Sequence, residues 1–566
     1  MRWTIKPSPD PHTVSHLQTV LNVDKSVARL LAQRGVQTFE EAKEFFRPSL
    51  SELHNPYLMK DMDLAVNRIM KAVKRNENIL VYGDYDVDGT TSVALMASYL
   101  RIFHSQVATY IPDRYDEGYG ISFKGIDFAS DNEISLIIAL DCGIKDVDKV
   151  AYAAAKGIDF VICDHHLPGS QIPNAVAVLD PKQSECKYPY KELCGCGVGF
   201  KLLQAIHQER KGEFGELYQY LDLVATAIAA DIVPVTGENR ILAYYGLKVL
   251  NSTPRPGLKA IISLLKTKKE ISLSDVAFLI GPRINAAGRM KHGEYAVELL
   301  CENDSQKALD MAAAIEQFNS DRKITDRSIT QEALTLIESS NEQKRFTTVV
   351  YKEDWHKGVI GIVASRLIET YYRPTLVFTR SGNKLAASAR SVKGFDLYEA
   401  LECCREHIEQ FGGHKYAAGL TLDESQFNGF KEKFEEVVAA RIDKSLLTPE
   451  LSIDAELSLE EITPRFNRIL HQFEPFGPGN PKPVFMISRA KDTGYAKCVG
   501  QDKAHLKCRI GQASSSIFID AIGFGLGNKC ELLNSGAPVK LAFTIEENAW
   551  NGHTRLQLNL KDIIPD

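Results

Sequence analysis

Gly83-Asp84-Tyr85-Asp86-Val87-Asp88-Gly89 follows directly on the apolar run Ile79-Leu80-Val81-Tyr82. Such a run reads as a buried strand that delivers carboxylates at its carboxyl end. Three more runs end in the same way: Leu136–Leu140 on Asp141-Cys142-Gly143, Phe160–Cys163 on Asp164-His165-His166, and Leu223–Ala230 on Asp231. One aspartate after a strand is an ordinary turn residue. Four, with an adjacent histidine pair, point to a divalent-metal site and to metal-dependent phosphoester hydrolysis. Helical stretches alternate with the runs, among them Thr90–Phe103 and Val147–Lys156, the latter stopped by Gly157. This alternation implies a mostly parallel α/β sheet. Ligands of such sheets bind beyond the carboxyl ends of the strands, where Asp84–Asp88, Asp141 and Asp164–His166 fall. The alanines before Asp231 suit a helix as well as a strand.

The charge arithmetic sharpens the metal reading. Asp86 and Asp88, with Asp141, His165 and Asp231, would form one cluster, and Gly89 lets the backbone bend closely behind the first pair. Hard oxygen ligands with one imidazole suit manganese or magnesium better than zinc. The four carboxylates of Asp86, Asp88, Asp141 and Asp231 balance two divalent cations. An EF-hand calcium loop is the alternative for residues 83–89, but Ser92–Ala97 offers no glutamate at the required distance. No serine or cysteine nucleophile arrangement competes.

The chain has 566 residues, 44% hydrophobic and 25% charged, and a formal net charge of −6. Its length calls for more than one domain, since single cores stop growing near ~250–300 residues. The charge neither supports nor excludes nucleic acid, because local patches decide binding. Eleven cysteines without a framework spacing fit free thiols in a reducing cytoplasm, and Cys186, Cys194 and Cys196 fit small buried side chains rather than zinc ligands. The amino-terminal stretch has no apolar core for export, and no run approaches the ~18 apolar residues of a membrane span. A cytoplasmic location is the expectation.

Residues 1–60 read as an N-terminal helical segment, with Val27–Arg34 closed by a glycine cap at Gly35, and residues 61–304 as the first α/β domain. Residues 305–340 read as one long helix, with Leu309, Ala312, Ile315, Ile329, Ala333, Leu336 and Ile337 at partial helical spacing. It is either a connector or a surface helix of the first domain. Residues 341–445 form a second α/β unit, with strands at Thr347–Tyr351 and Thr375–Phe378 around a helix Val359–Tyr371. From 446 to 566 five strand-like runs (483–490, 504–510, 515–522, 538–546, 554–560) suggest a small β-barrel. An oligonucleotide-binding fold and a generic β-domain fit that pattern equally.

At Gly83–Gly89, Asp141-Cys142-Gly143, Asp164-His165-His166 and Asp231 the chain resembles the DHH phosphoesterase superfamily. Further segments resemble its bacterial single-strand-specific DNA exonucleases: Ile111–Arg114 with Glu117–Gly120, Arg283–Met290, Trp355–Arg366, Gly412-Gly413-His414 and Pro475–Asn480. The likeness runs over nearly the whole chain, in order. It implies a DHH catalytic domain, a DHH-associated domain and a C-terminal OB-like domain, and a processive 5′ to 3′ exonuclease that degrades single-stranded DNA to mononucleotides in recombination and repair. It implies two divalent metal ions. Asp86 and Asp141 would hold one, with Asp84 as a further ligand; Asp88, Asp141, His165 and Asp231 would hold the other. His166 would contact the scissile phosphate, and Asp164 would orient the histidines. Where some relatives carry a histidine before the first glycine, this chain has Tyr82. Arg114, Ser388 and Arg390 resemble the pocket for a 5′-terminal phosphate, Arg289 and His414 phosphate contacts near the cut. Single-stranded DNA is the implied partner, with a single-strand-binding protein and a helicase as further candidates and a monomer as the expected state. Two rivals stand beside this reading. A hydrolase of short oligoribonucleotides or cyclic dinucleotides is opposed by residues 450–566, and a non-catalytic DNA-binding scaffold by the complete ligand set.

Overall fold

The computed structural model describes residues 1–265, 270–513, 515–550 and 553–566. The sheet of the first domain has five parallel strands in the spatial order Val107–Tyr110, Asn78–Gly83, Ile134–Leu140, Asp159–Cys163 and Ala177–Leu179. Both faces are covered. Ile79, Val81, Leu136 and Ile138 face one core, and Leu80, Tyr82, Ile137 and Ala139 face the other. Burial on both sides is why these strands read as unbroken apolar runs rather than alternating ones. The helix after the first run spans Val87–Leu100, three residues earlier than the sequence suggested, because the Asp86 carboxylate accepts the Gly89 N–H at 3.0 Å and caps it. Asp88 therefore sits in the first helical turn. Gly89 has no substitute here, since a Cβ would lie 2.3 Å from the Asp84 carbonyl oxygen. The segment before Asp231 is a helix, Leu221–Ala230, buried along almost its whole length.

The long helix, Ser305–Ser339, is a connector. Its 35 residues span about 52 Å at the helical rise. Ala308, Ala312 and Ile315 pack into the first domain's core, whereas Ile329, Ala333 and Ile337 pack against Val359, Val363 and Trp355 of the second. Leu309 and Leu336, expected on the apolar stripe, are 43% and 38% exposed. One helix serving two separate bodies does not keep a single continuous stripe. The second domain has the expected strands Thr348–Tyr351 and Thr375–Ser381, paired in parallel, and the helix Ile360–Thr370. Three antiparallel strands, Lys384–Arg390, Ala417–Leu422 and Gln410–His414, extend that sheet. Their short, glycine- and alanine-rich sequences carry little strand signal.

All five C-terminal strands are present: Phe485–Asp492, His505–Gln512, Phe518–Gly523, Val539–Trp550 and His553–Pro565. The first pairs with the second and fourth, the second with the third, the third with the fifth and the fifth with the fourth. The circuit closes, which decides for an oligonucleotide-binding barrel over a generic β-domain.

The first sixty residues are not purely helical. Besides helices Pro11–Leu21, Lys25–Ala32 and Phe39–Phe46 they contain a strand, Arg2–Ile5, paired in parallel with Glu450–Ile453. Gly35, at φ 81°, closes the second helix through a Val36 N–H bond to the Leu31 carbonyl at 3.2 Å, a Schellman arrangement. Leu17, Leu30 and Leu31 share a core with Phe466, Phe473 and the barrel. One guanidinium ties this module to the first α/β domain. Arg240 donates to the carbonyls of Phe45 at 3.0 Å, Phe473 at 2.9 Å, Glu474 at 2.9 Å and Pro475 at 3.3 Å. Burial pulls its pKa down to about 10. Arg240→Ala is expected to destabilise the protein by on the order of 3 kcal/mol, because several buried carbonyls lose their donor at once, and Arg240→Lys should recover little, lacking the planar fork. Urea unfolding measures both; an unchanged midpoint in Arg240→Ala rules out the tether.

Candidate active site

Asp88 is held by the start of helix Gly195–Glu209. Its two oxygens accept the N–H groups of Gly195 at 2.6 Å and Cys196 at 2.7 Å, so the positive end of the helix dipole faces the carboxylate. Burial and the charge of Asp86 nevertheless push its pKa up to about 7. Asp141 follows its strand at φ 61°, a left-handed conformation that aspartate tolerates better than most residues. Burial, then Asp88, Asp86 and Asp231, raises its pKa well above the usual range. Burial, Asp88 and Asp86 do the same to Asp231.

His165 stands among these groups. Its Nε2 is 3.2 Å from Asp141 Oδ1, 3.6 Å from Asp231 Oδ2 and 3.8 Å from Asp88 Oδ2. Burial and the adjacent His166 bring its pKa down to about 3, so the ring is neutral, the state a metal ligand needs. Both ring nitrogens of His165, Asp141 Oδ1 and Asp84 Oδ2 are buried without a hydrogen-bond partner. Buried polar atoms normally find partners, and carboxylates do not crowd a neutral imidazole in an apolar surrounding without a cation to balance them. The donor set therefore fits hard divalent ions. Ligand atoms of Asp88, His165 and Asp231 lie within 4.8 Å of one another, as do those of Asp141, His165 and His166.

Asp84 and Asp86 stand outside both groups. Asp84 is fully buried and accepts the Gly120 N–H at 3.2 Å, while Asp86 caps its helix. Asp164 Oδ1 accepts the backbone N–H groups of His165 (2.7 Å) and His166 (3.1 Å) and His166 Nδ1 (2.7 Å), and Oδ2 accepts Ile144 N–H (2.9 Å). It thus orients the His166 ring directly and His165 only through its backbone. Although burial opposes it, the His166 bond holds Asp164 below the usual carboxylate range and, in return, raises the His166 pKa. Tyr119 Oη lies 3.1 Å from His166 Nε2. Tyr82 is a packing residue, its hydroxyl donating to the Gly120 carbonyl at 3.0 Å.

Gly195 and Cys196 escaped the sequence reading. In sequence Cys194 and Cys196 read as small buried side chains, whereas Gly195 between them starts a helix that packs closely on the Asp141 side chain. A Cβ on Gly195 would lie 2.6 Å from both Cβ and Oδ1 of Asp141.

A second feature opens between the two α/β domains. A cavity of about 220 Å³ is lined by Arg114 and Arg289 from the first domain and by Lys357, Ser388 and Arg390 from the second, and no carboxylate lines it. Arg114 stacks over the Tyr85 ring at 4.3 Å. Arg390 donates to Ser388 Oγ at 3.3 Å and the Ala389 carbonyl at 2.8 Å. Arg289 donates to the Gly358 carbonyl at 2.8 Å, and burial, then Arg114 and Arg390, lowers its pKa to about 9. Half-buried guanidiniums gathered without a carboxylate suit an anion. Arg289 lines this cavity together with Arg114, Ser388 and Arg390. His414 is exposed, and partial burial, then the charges of Lys145, His166 and Lys182, lower its pKa.

Three domain families match the chain: the DHH family N-terminal domain over residues 78–228, the DHHA1 domain over 343–440 and the RecJ OB domain over 453–562. A single-stranded-DNA-specific exonuclease RecJ of Bacillus subtilis is 37% identical over 99% of this chain and 70% of its own length. The protein of that name from Salmonella typhimurium is 33% identical over 95% of both chains. A crystal structure of RecJ in complex with Mn²⁺ from Thermus thermophilus superposes with a TM-score of 0.85 at 26% identity, covering all of this chain and 80% of the other. A Mg²⁺ complex from the same organism gives 0.78 at 25% identity, covering all of this chain and 79% of the other. With these three domains in this order and that identity over almost its entire length, the chain belongs to the RecJ family.

Proposed function

We propose that this chain is a single-stranded-DNA-specific exonuclease that removes mononucleotides from the 5′ end, using two divalent ions, manganese or magnesium. One observation carries the reading: the first domain gathers a convergent aspartate–histidine cluster, and Tyr85, between Asp84 and Asp86, lines a carboxylate-free arginine cavity that opens between the two α/β domains. The cluster suits phosphodiester hydrolysis and the cavity a terminal phosphate. In this reading residues 61–304 carry the chemistry, 305–340 connect, 341–445 complete the phosphate cavity and 446–566 guide the strand.

Asp88, Asp141, His165 and Asp231 would hold one ion, and Asp86 and Asp141, with Asp84, the other. Bound divalent ions supply Lewis-acid charge to the phosphoryl oxygens and the attacking water. The protein's own groups do the rest. Asp164 keeps a proton on His166 Nδ1 and raises the ring's affinity for a second, so that Nε2 can donate to an oxygen of the scissile phosphate. Arg114, Arg289, Ser388 and Arg390 grip the 5′-phosphate, and His414 steadies a phosphate beside the cut. On the barrel, Lys497, Lys507 and Arg509 are exposed, as are Phe518 and Phe524 at 52% and 61%, and Arg509 lies 5.7 Å from the Phe518 ring centre; cations and bare rings together suit a single strand. Among the described residues no helix is long and apolar enough to cross a membrane. A monomer working in the cytoplasm beside a helicase and a single-strand-binding protein completes the proposal.

Digestion of end-labelled single-stranded and duplex DNA, with manganese and with chelator, is the test. The expectation is release of mononucleotides from the 5′ end of the single strand, and none with chelator; chelator-resistant cleavage overturns the proposal. For the cavity, Arg390→Ala is expected to lower the preference for 5′-phosphate over 5′-hydroxyl strands about tenfold, the effect of ~1.4 kcal/mol from one charge-assisted bond. An unchanged ratio removes Arg390 from end recognition.

A further inference from the structure

Arg283 begins one of the segments that carry the family likeness and Arg366 ends another, yet neither has a part in the site described so far. Both bind the long helix Ser305–Ser339. Arg283, on helix Gly281–Met290, donates from Nη2 to Glu316 Oε1 at 3.2 Å, and its Nε lies 2.5 Å from Oε2. Arg366, on helix Ile360–Thr370 of the second domain, lies 2.9 Å from Asp326 Oδ1. The other oxygen of Asp326 accepts Arg322 Nη1 at 3.1 Å, and Arg322 Nη2 donates to Asn319 Oδ1 at 2.9 Å. Asn319 and Asp326 are fully buried, and Arg322 nearly so.

A buried ion pair adds little net stability, because desolvation offsets the attraction. What it supplies is direction. The apolar cluster of Ile329, Ala333, Val363 and Leu367 holds the helices together through a non-directional force, whereas charge-assisted bonds fix their register. Glu316 and Asp326 stand ten residues apart on a helix with no glycine or proline to bend it, about 15 Å at the helical rise. Both helices that they hold lead to the arginine cavity. Six residues beyond Arg283 is Arg289, which lines it. Five residues before Arg366 is Gly361, which lines it as well. Gly361 packs so closely that a Cβ there would lie 2.8 Å from Ser388 Oγ and 3.1 Å from Arg390 Nη2. A slip of Ile360–Thr370 along the long helix therefore displaces Ser388 and Arg390 relative to Arg289. We propose that Asp326, acting through Arg366, is a positioning residue for recognition of the 5′ end: together with the pair of Glu316 and Arg283, it sets the spacing between the two halves of the phosphate cavity. The inference rests on the reading of that cavity as the site of the terminal phosphate.

The test is steady-state cleavage by the full chain, with manganese, of otherwise identical single strands that carry a 5′-phosphate or a 5′-hydroxyl. Asp326→Asn and Arg366→Gln are each expected to raise KM for the 5′-phosphate strand about fivefold or more, with kcat within about twofold of wild type, the pattern of a lost binding contact. Both constants for the 5′-hydroxyl strand should stay as they are. The double variant should be no worse than either single one, because the same bond is lost only once. Arg366→Lys, which keeps the charge, should recover part of the loss. The Arg366 side chain is 37% exposed, so its variants decide the matter if Asp326→Asn fails to fold. An equal loss on both strands, additive effects in the double variant, or an unchanged KM in Arg366→Gln overturns the proposal. If Arg390→Ala lowers the phosphate preference and Arg366→Gln does not, this inference alone fails; if neither lowers it, the reading of the cavity fails with it.

Discussion

Asp141→Asn is expected to abolish cleavage and, at the same time, to raise the Tm of the chelated protein. Both effects follow from where the carboxylate sits. Asp141 Oδ1 is buried, has no hydrogen-bond donor and is 3.2 Å from His165 Nε2. Losing the charge of a shared ligand removes several kcal/mol of transition-state stabilisation, about a thousandfold or more in rate. Asparagine keeps the shape and tolerates the left-handed backbone at φ 61°, so the fold should survive. Without metal, Asp141 is disfavoured by burial and by the charges of Asp88, Asp86 and Asp231. Neutralising it relieves about 1 kcal/mol of repulsion, a rise of about 2–4 °C for domains of this size. Single-turnover cleavage with manganese and differential scanning calorimetry with chelator check the pair. Near wild-type cleavage would sink the metal assignment; a lower Tm would show that Asp141 is held by something other than the crowding described.

Gly195→Ala should lower cleavage at least a hundredfold with little loss of secondary structure. The methyl group would lie 2.6 Å from Asp141 Cβ and Oδ1, closer than any relaxed contact, while the Gly195 N–H holds Asp88 at 2.6 Å. One methyl group therefore displaces both Asp141 and Asp88, and misplacement by about 1 Å costs on the order of a hundredfold. The predicted signature is weakened manganese affinity by isothermal titration, with far-UV circular dichroism unchanged. Retained affinity would mean that the helix start yields and the carboxylates stay where they are.

The difference between these two residues shows what is legible in a sequence. Asp84, Asp86, Asp88, Asp141 and the Asp164-His165-His166 triplet stand out because each adjoins an apolar run, and a parallel strand must deliver its next residues at the edge where ligands bind. Gly195 adjoins no strand. Its role is a contact with Asp141 and Asp88, residues with which it shares no local pattern. The same holds for the strand Arg2–Ile5, which exists only by pairing with Glu450–Ile453, and for Arg240, whose acceptors lie about two hundred or more residues away. Arg114, Arg289 and Arg390 had roles only by likeness to relatives; each alone reads as a solvated charge.

Local chemistry along the chain thus determined the parallel sheet, the long helix, the five barrel strands and most donors of the metal cluster, because period and adjacency are properties of neighbouring residues. Folding in three dimensions decided which helix start cradles Asp88, that the long helix joins two bodies, that the barrel closes and that Arg289 joins Arg114 and Arg390 in one cavity. Those outcomes rest on contacts between distant segments, whose burial and charge balance come into being only when the chain is packed.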